Sequence, residues 1–157
     1  MEKMLTALCK ELNNWFCKKK DMISGTFRIE DGVLLPDIGL LDGQYYRIEG
    51  SILNDGVHQF SSESKLADEP EFEGTAYPMR IPPDVLDLAE RILEWRIVNE
   101  AADSSNMSPF QSESFGTYSY SKGSSGQSKN GGAGSTAVTW QSQFANELNK
   151  YRRVWGI

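Results

Sequence analysis

Apolar and polar positions alternate along this chain with two different periods, and the switch points divide it. Residues 2–20 place Met4, Leu5, Leu8, Leu12, Trp15 and Phe16 at spacings of three and four, which predicts a helix with one apolar stripe and with Lys10, Glu11 and Asn13 outside it. Lys18-Lys19-Lys20 is expected to close that helix, since cations in a last turn complement the helix dipole. From Ser24 to Ile81 the period becomes two. Phe27 and Ile29, Val33, Tyr46 and Ile48, Val57, and Tyr77, Met79 and Ile81 are separated by the turn signals Asp31-Gly32, Asp42-Gly43 and Asn54-Asp55-Gly56. This predicts a small antiparallel β unit with strands near 26–30, 33–35, 44–50, 57–60 and 75–81, and with Pro36 and Pro78 at edges or strand ends.

Pro82-Pro83-Asp84 returns the chain to helical spacing, because proline is tolerated in a first turn and an acid there favours the positive end of the dipole. Val85, Leu88, Ala89, Ile92, Trp95 and Val98 then form an apolar face, widened by Leu86, Leu93 and Ile97. Residues 104–137 are rich in Ser and Gly and are expected to form a flexible arm, too polar to order alone. Within it, Phe115 to Tyr120 alternates as a short strand in need of a partner. Thr139 is placed to cap a third helix, on which Trp140, Phe144, Leu148, Tyr151 and Trp155 recur at three and four. The resulting expectation is an α+β protein, a single domain over 1–157: a three-helix core, a β insertion over 24–82 and an assembly arm over 105–137.

Charge adds an asymmetry. Residues 1–104 carry 11 basic and 20 acidic side chains, residues 105–157 carry 5 and 2, and the total is 16 minus 22, or −6. An acidic body argues against tight wrapping around nucleic acid, which needs clustered Lys and Arg. The longest apolar runs, such as Val33-Leu34-Leu35, are far too short for a membrane span, and no apolar leader segment opens the sequence, so a cytoplasmic protein is expected. Cys9 and Cys17, eight residues apart on one predicted helix, would sit roughly 12 Å apart along its axis, too far for a disulfide. They are expected to be apolar fillers.

Candidate chemistry is sparse. His58 is the sole histidine, which leaves a nucleophilic triad or a zinc site without its parts. The run Asp68-Glu69-Pro70-Glu71-Phe72-Glu73 lacks metal-ligand spacing and reads as a solvated acidic loop. Gly131-Gly132-Ala133-Gly134 precedes a helix but lacks the Gly-Lys-Ser/Thr ending of a phosphate loop. Trp15, Trp95, Trp140 and Trp155 all fall on predicted helix stripes, where core packing explains them. No catalytic residue, cofactor or metal is therefore expected.

The stretch Ser112-Glu113-Ser114-Phe115-Gly116-Thr117-Tyr118-Ser119-Tyr120 resembles the Ser-Glu-x-x-Gly-x-Tyr-Ser segment of phage head–tail connector proteins, the neck adaptors docked below the portal. A preceding amphipathic helix, a following spacer and a last helix ending in Tyr151-Arg152-Arg153 are similar to that family's pattern. The stretch Gly43 to Ser51 with Asn54-Asp55-Gly56-Val57 also looks like prophage proteins of Gram-positive hosts encoded among head and neck genes. The β insertion departs from the simplest all-helical adaptors.

The resemblance implies a structural virion protein in the neck between capsid and tail, made in the host cytoplasm. Its implied partners are copies of itself in a dodecameric ring, the portal protein, the next neck or tail protein, and double-stranded DNA passing through without specific binding. It implies a subunit interface at Ser112, Glu113, Ser114, Phe115, Gly116, Tyr118 and Tyr120. The clustered charge and aromatic surface at Lys150, Tyr151, Arg152, Arg153 and Trp155 is the candidate portal contact. Rival readings are a tail-completion or tail-terminator ring subunit, or a small carbohydrate- or peptide-binding module.

Overall fold

The computed structural model of the protein describes residues 1–63, 65–100, 112–115, 118–121 and 138–154. The chain divides into two compact units, residues 1–90 with 146–157, and residues 91–145. In the first unit, helix α1 (Glu2–Leu12) is followed by a 3₁₀ turn (Lys19–Asp21) and strands β1 (Ile23–Glu30), β2 (Val33–Leu35), β3 (Tyr45–Glu49), β4 (Gly56–Gln59) and β5 (Glu69–Pro78). Helix α2 (Pro83–Asn99) starts in this unit and continues into the second. The second unit also holds a hairpin of β6 (Ser112–Phe115) and β7 (Tyr118–Ser121), and helix α3 (Trp140–Gln143). Helix α4 (Ala145–Tyr151) leads back into the first unit.

The organising element is the sheet, not a three-helix core. Its five antiparallel strands run in the order β2-β1-β5-β3-β4, so β5, the last of these five along the chain, is the central one. Helices of 11, 4 and 7 residues at α1, α3 and α4 are too short to build the expected bundle. Helix one stops early because Asn13 enters the left-handed region (φ 49°), a conformation that asparagine tolerates, while the Asn13 and Asn14 amides close back on the Lys10 and Cys9 carbonyls. Trp15, Phe16, Cys17 and the three lysines therefore lie beyond the helix on which the spacing puts them, and both cysteines are buried and free. The third predicted helix is capped by Thr139, which accepts from Ser142 N–H, but breaks at Phe144 into α3 and α4.

The acidic run is the other correction. Glu69 to Pro78 is strand β5, and Glu69 is buried. Phe72 lies opposite Phe27 (ring centroids 6.0 Å apart), while between Phe27 and Ile29 the register slips by one residue, so Pro70 and Glu71 occupy a bulge where proline's missing N–H costs no ladder bond. On α2, Val85, Leu88 and Ala89 are buried as the spacing predicts, but Ile97 and Val98 are 68% and 70% exposed. In the second unit Trp95 meets Phe144 edge-on (6.5 Å, 89°).

One face of the sheet gathers Phe27, Ile29, Leu34, Tyr46, Ile48 and Ala76 into a buried cluster. Residues from both edges, Leu34 of β2 and His58 of β4, line one cavity over that cluster, so the sheet is strongly curled. On the opposite face the Arg47 guanidinium is stacked between the Trp15 ring (3.8 Å) and the Tyr77 ring (4.9 Å), and pairs with Glu49 at 3.0 Å. Two aromatic faces shield a charge whose Nε finds no acceptor among the described residues.

Sheet edges invite unwanted pairing, and each is closed differently here. Edge strand β2 has three residues and stops just before Pro36. At β4 the outward amides of Val57 and Gln59 are capped by α1 side chains: Thr6 Oγ1 accepts from Val57 N–H (3.0 Å) and Glu2 Oε1 from Gln59 N–H (2.8 Å). Replacing Thr6 by Val, which keeps the shape but removes the acceptor, is expected to lower stability by about 1 kcal/mol, whereas Thr6→Ser restores most of it. Chemical denaturation of the three proteins checks this; equal stability of Val and Ser variants would mean that the edge needs no side-chain cap.

Candidate functional site

The acidic run and the turn at Asn54-Asp55-Gly56 meet at one carboxylate. Glu69, at the start of the central strand, accepts from the Ser51 hydroxyl, from Ile52 N–H at 2.8 Å, from Leu53 N–H at 3.3 Å and from the Asn54 amide at 3.2 Å. Asn54 is itself fixed by a reciprocal pair with Ala67, donating to its carbonyl and accepting from its N–H, each at 2.9 Å. Gly50 enters the loop at φ 98°, and a Cβ there would lie 2.5 Å from the Glu73 carbonyl oxygen, so the loop starts where only glycine fits. Burial pushes the Glu69 carboxyl up, but the donors from Ser51, Ile52, Asn54 and Leu53 outweigh it and hold its pKa below the ordinary carboxylate range.

The outcome is a braced loop with an apolar tip: Ile52 is 90% exposed and Leu53 61%, while Ser51 and Asn54 beneath them are buried. Two apolar side chains held in water by so many polar contacts contribute nothing to the core, and rigid presentation of such a pair suits an interface.

Next to this loop lies the cavity between the curled edges, about 480 Å³ in volume. Leu34, Leu40, Tyr46, Phe60 and Leu66 give it an apolar floor. Its rim carries the carboxylates of Glu2, Asp31 and Asp37 against the single ammonium of Lys65. His58 in its wall reaches the Asn54 carbonyl through Nε2 (2.7 Å), which requires the Nε2–H form and ties the cavity to the braced loop. Burial, then the charge of Glu2, raises the Tyr46 hydroxyl to about 12, so it stays a neutral donor. The size suits a small molecule or an inserted side chain, and three acids at the mouth favour a cationic one.

The residues singled out from sequence fall in both units. Ser112, Glu113, Ser114 and Phe115 form β6 and pair with β7, in the register Glu113↔Tyr120 and Phe115↔Tyr118, so the single strand expected over 115–120 is instead a hairpin. Gly116 and most of the arm over 105–137 lie outside the described residues, as do Gly131 to Gly134 and Trp155. Lys150 and Tyr151 end α4, with Arg152 and Arg153 beyond it. There Tyr151 meets Phe16 edge-on, its carbonyl accepts from the Asn14 amide (3.0 Å), Arg152 pairs with Glu11, and Arg153 N–H donates to Leu12 O at 2.9 Å. This segment thus satisfies the open end of α1 while the Arg153 side chain stays exposed and Val154 is 85% exposed. Glu69 and the cavity were beyond sequence reasoning, although the apolar pair Ile52-Leu53 inside a turn was a visible signal.

No family model matches the chain, and no curated protein and no solved structure matches it either. Among the described residues no group of three or more His, Cys, Asp or Glu side chains could hold a metal ion, and no helix is long and apolar enough to cross a membrane.

Glu69→Gln offers an NH₂ group to donors that need an acceptor and is expected to cost about 2 kcal/mol near neutral pH. Because the folded-state pKa lies below the unfolded one, the stabilisation is complete above the unfolded pKa and is lost as pH falls through the folded one. Urea unfolding of both proteins is expected to show their difference shrinking as pH drops from about 5 to about 3; a difference constant over that range would remove the carboxylate from the loop's support.

Proposed function

We propose that the protein is a structural, non-enzymatic virion subunit: a head–tail adaptor that forms a ring below the portal of a long-tailed bacteriophage and encloses the DNA exit channel. The observation that carries an assembly role is the Glu69-braced tip, which spends buried polar contacts on keeping Ile52 and Leu53 in solvent. Such a pair loses its exposure only against another chain. The adaptor reading in particular rests on the resemblance at Ser112 to Tyr120 and at Tyr151-Arg152-Arg153. Repetition of one heterologous contact by a closing rotation makes a ring, twelvefold in the family that the sequence resembles. The acidic body suits a channel through which DNA slides, since attraction to phosphates would slow passage.

The cavity favours a second reading, a small peptide-binding module. The two differ in where the protein is found. Imaging and protein analysis of purified particles are expected to show the chain at the neck in ring copy number. The double variant Ile52→Ser, Leu53→Ser changes only exposed side chains, so it is expected to fold within about 0.5 kcal/mol of the parent. It is expected to yield filled heads with joined tails reduced at least tenfold, about 1.4 kcal/mol of lost contact. Absence of the protein from particles, or normal joining by the double variant, would sink the adaptor role.

A further inference from the structure

The cavity and the segment after Tyr151 are complementary in charge and in polarity, and both belong to the unit formed by residues 1–90 and 146–157. We infer that the cavity is a socket for residues 153–157 of a second copy of this chain, with Trp155 on the apolar floor and Arg153 among the rim carboxylates. This rests on the ring reading and gives that ring its subunit contact, assigning the segment after Tyr151 to a neighbouring copy and not to the portal.

Three observations support it. The rim sets Glu2, Asp31 and Asp37 against Lys65, a net demand for positive charge, and the segment supplies the exposed Arg153 and Lys150. The floor is apolar, and the sequence continues Val154-Trp155-Gly156-Ile157, with Val154 85% exposed. The backbone is held up to Arg153 by Leu12 O and Asn14, so the plug starts from a fixed point. Four further residues reach roughly 13 Å in extended form, enough to bridge two touching subunits. A plug and a socket at different places on one surface make a heterologous contact, which propagates head to tail and makes a ring when its rotation closes.

Two full-length variants separate the halves of the contact. Trp155→Ala keeps the socket and loses the plug; Leu40→Arg keeps the plug and blocks the socket with bulk and charge. Since Leu40 is half-buried, Asp37→Lys on the exposed rim serves as a second socket variant, and thermal melts confirm that all three fold. In sedimentation at high protein concentration the parent is expected to self-associate and each variant to weaken this at least tenfold. Mixing Trp155→Ala with Leu40→Arg is expected to give one-to-one dimers that grow no further, because one plug and one open socket remain. A labelled peptide of residues 150–157 is expected to bind the Trp155→Ala protein saturably, with about tenfold lower affinity for the Trp155→Ala protein carrying Asp37→Lys and with falling affinity as salt rises.

Variants that associate like the parent, a mixture that stays monomeric, or a peptide indifferent to Leu40→Arg in the Trp155→Ala background would each overturn the socket. These failures are distinct from failure of the adaptor reading. A protein present at the particle neck whose variants do not complement leaves the ring and removes this contact, whereas complementing variants with no protein in particles retain the contact and remove the neck.

Discussion

The Glu69 carboxylate sits where a tight loop would otherwise bury a series of backbone and side-chain donors with nothing to receive them. By accepting from Ser51, Ile52, Leu53 and Asn54 it turns a stretch without regular structure into a fixed arch. Much else depends on that arch. It sets the crossing from β3 to β4, and through Asn54 it fixes both Ala67, on the approach to the central strand, and His58 in the cavity wall. A buried carboxylate is tolerated only when donors within the protein replace the water it loses, and here they come from residues 15 to 18 positions away in sequence.

The curl of the sheet follows a similar logic of leaving few polar groups without partners. With β5 central, the first and last strands of the β unit each have two neighbours or a cap, and the exposed amides of β4 are taken by the side chains of α1. The helix therefore works both as an edge cover and as a core element, burying Met4, Leu5, Leu8, Cys9 and Leu12. Arg47 ties the segment after α1 to the sheet. Its charge is buried on the sheet yet stacked on Trp15, so the segment that follows α1 is held to β3 by a cation on an aromatic ring. The C-terminal segment then closes the free end of α1, and unit one is stitched from both ends of the chain.

Functionally, the braced tip and the acid-rimmed cavity are surface features that the fold does not consume, and the proposed contact adds the segment after Tyr151 as the inserted part. They are of the kinds an assembly subunit needs: something to present, something to receive and something to insert. In the proposed contact the acid-rimmed socket and the basic plug belong to different regions of the chain, which is how a head-to-tail pairing is oriented.

Local pattern in the sequence was enough for the strands between Ser24 and Gln59, for the Asp31-Gly32 turn, whose two positive φ angles match the twist of a hairpin, for the start of α2 at Pro83 and for the Thr139 cap, though not for the bounds of β5. These are legible because they are decided by residues within a few positions of one another. The same pattern misplaced Trp15 and Phe16 on a helix, since spacing cannot register that Asn13 ends it, and it took Glu69 for a solvated acid, since an isolated carboxylate carries no sign of its donors. It also favoured a helical core, because three apolar stripes look alike whether they pack on each other or on a sheet. Which strand is central, where Glu69 points and how both sheet edges come to share one cavity are long-range pairings. Only the folded chain decides them, because each depends on groups that the sequence holds far apart and that meet once the sheet has curled.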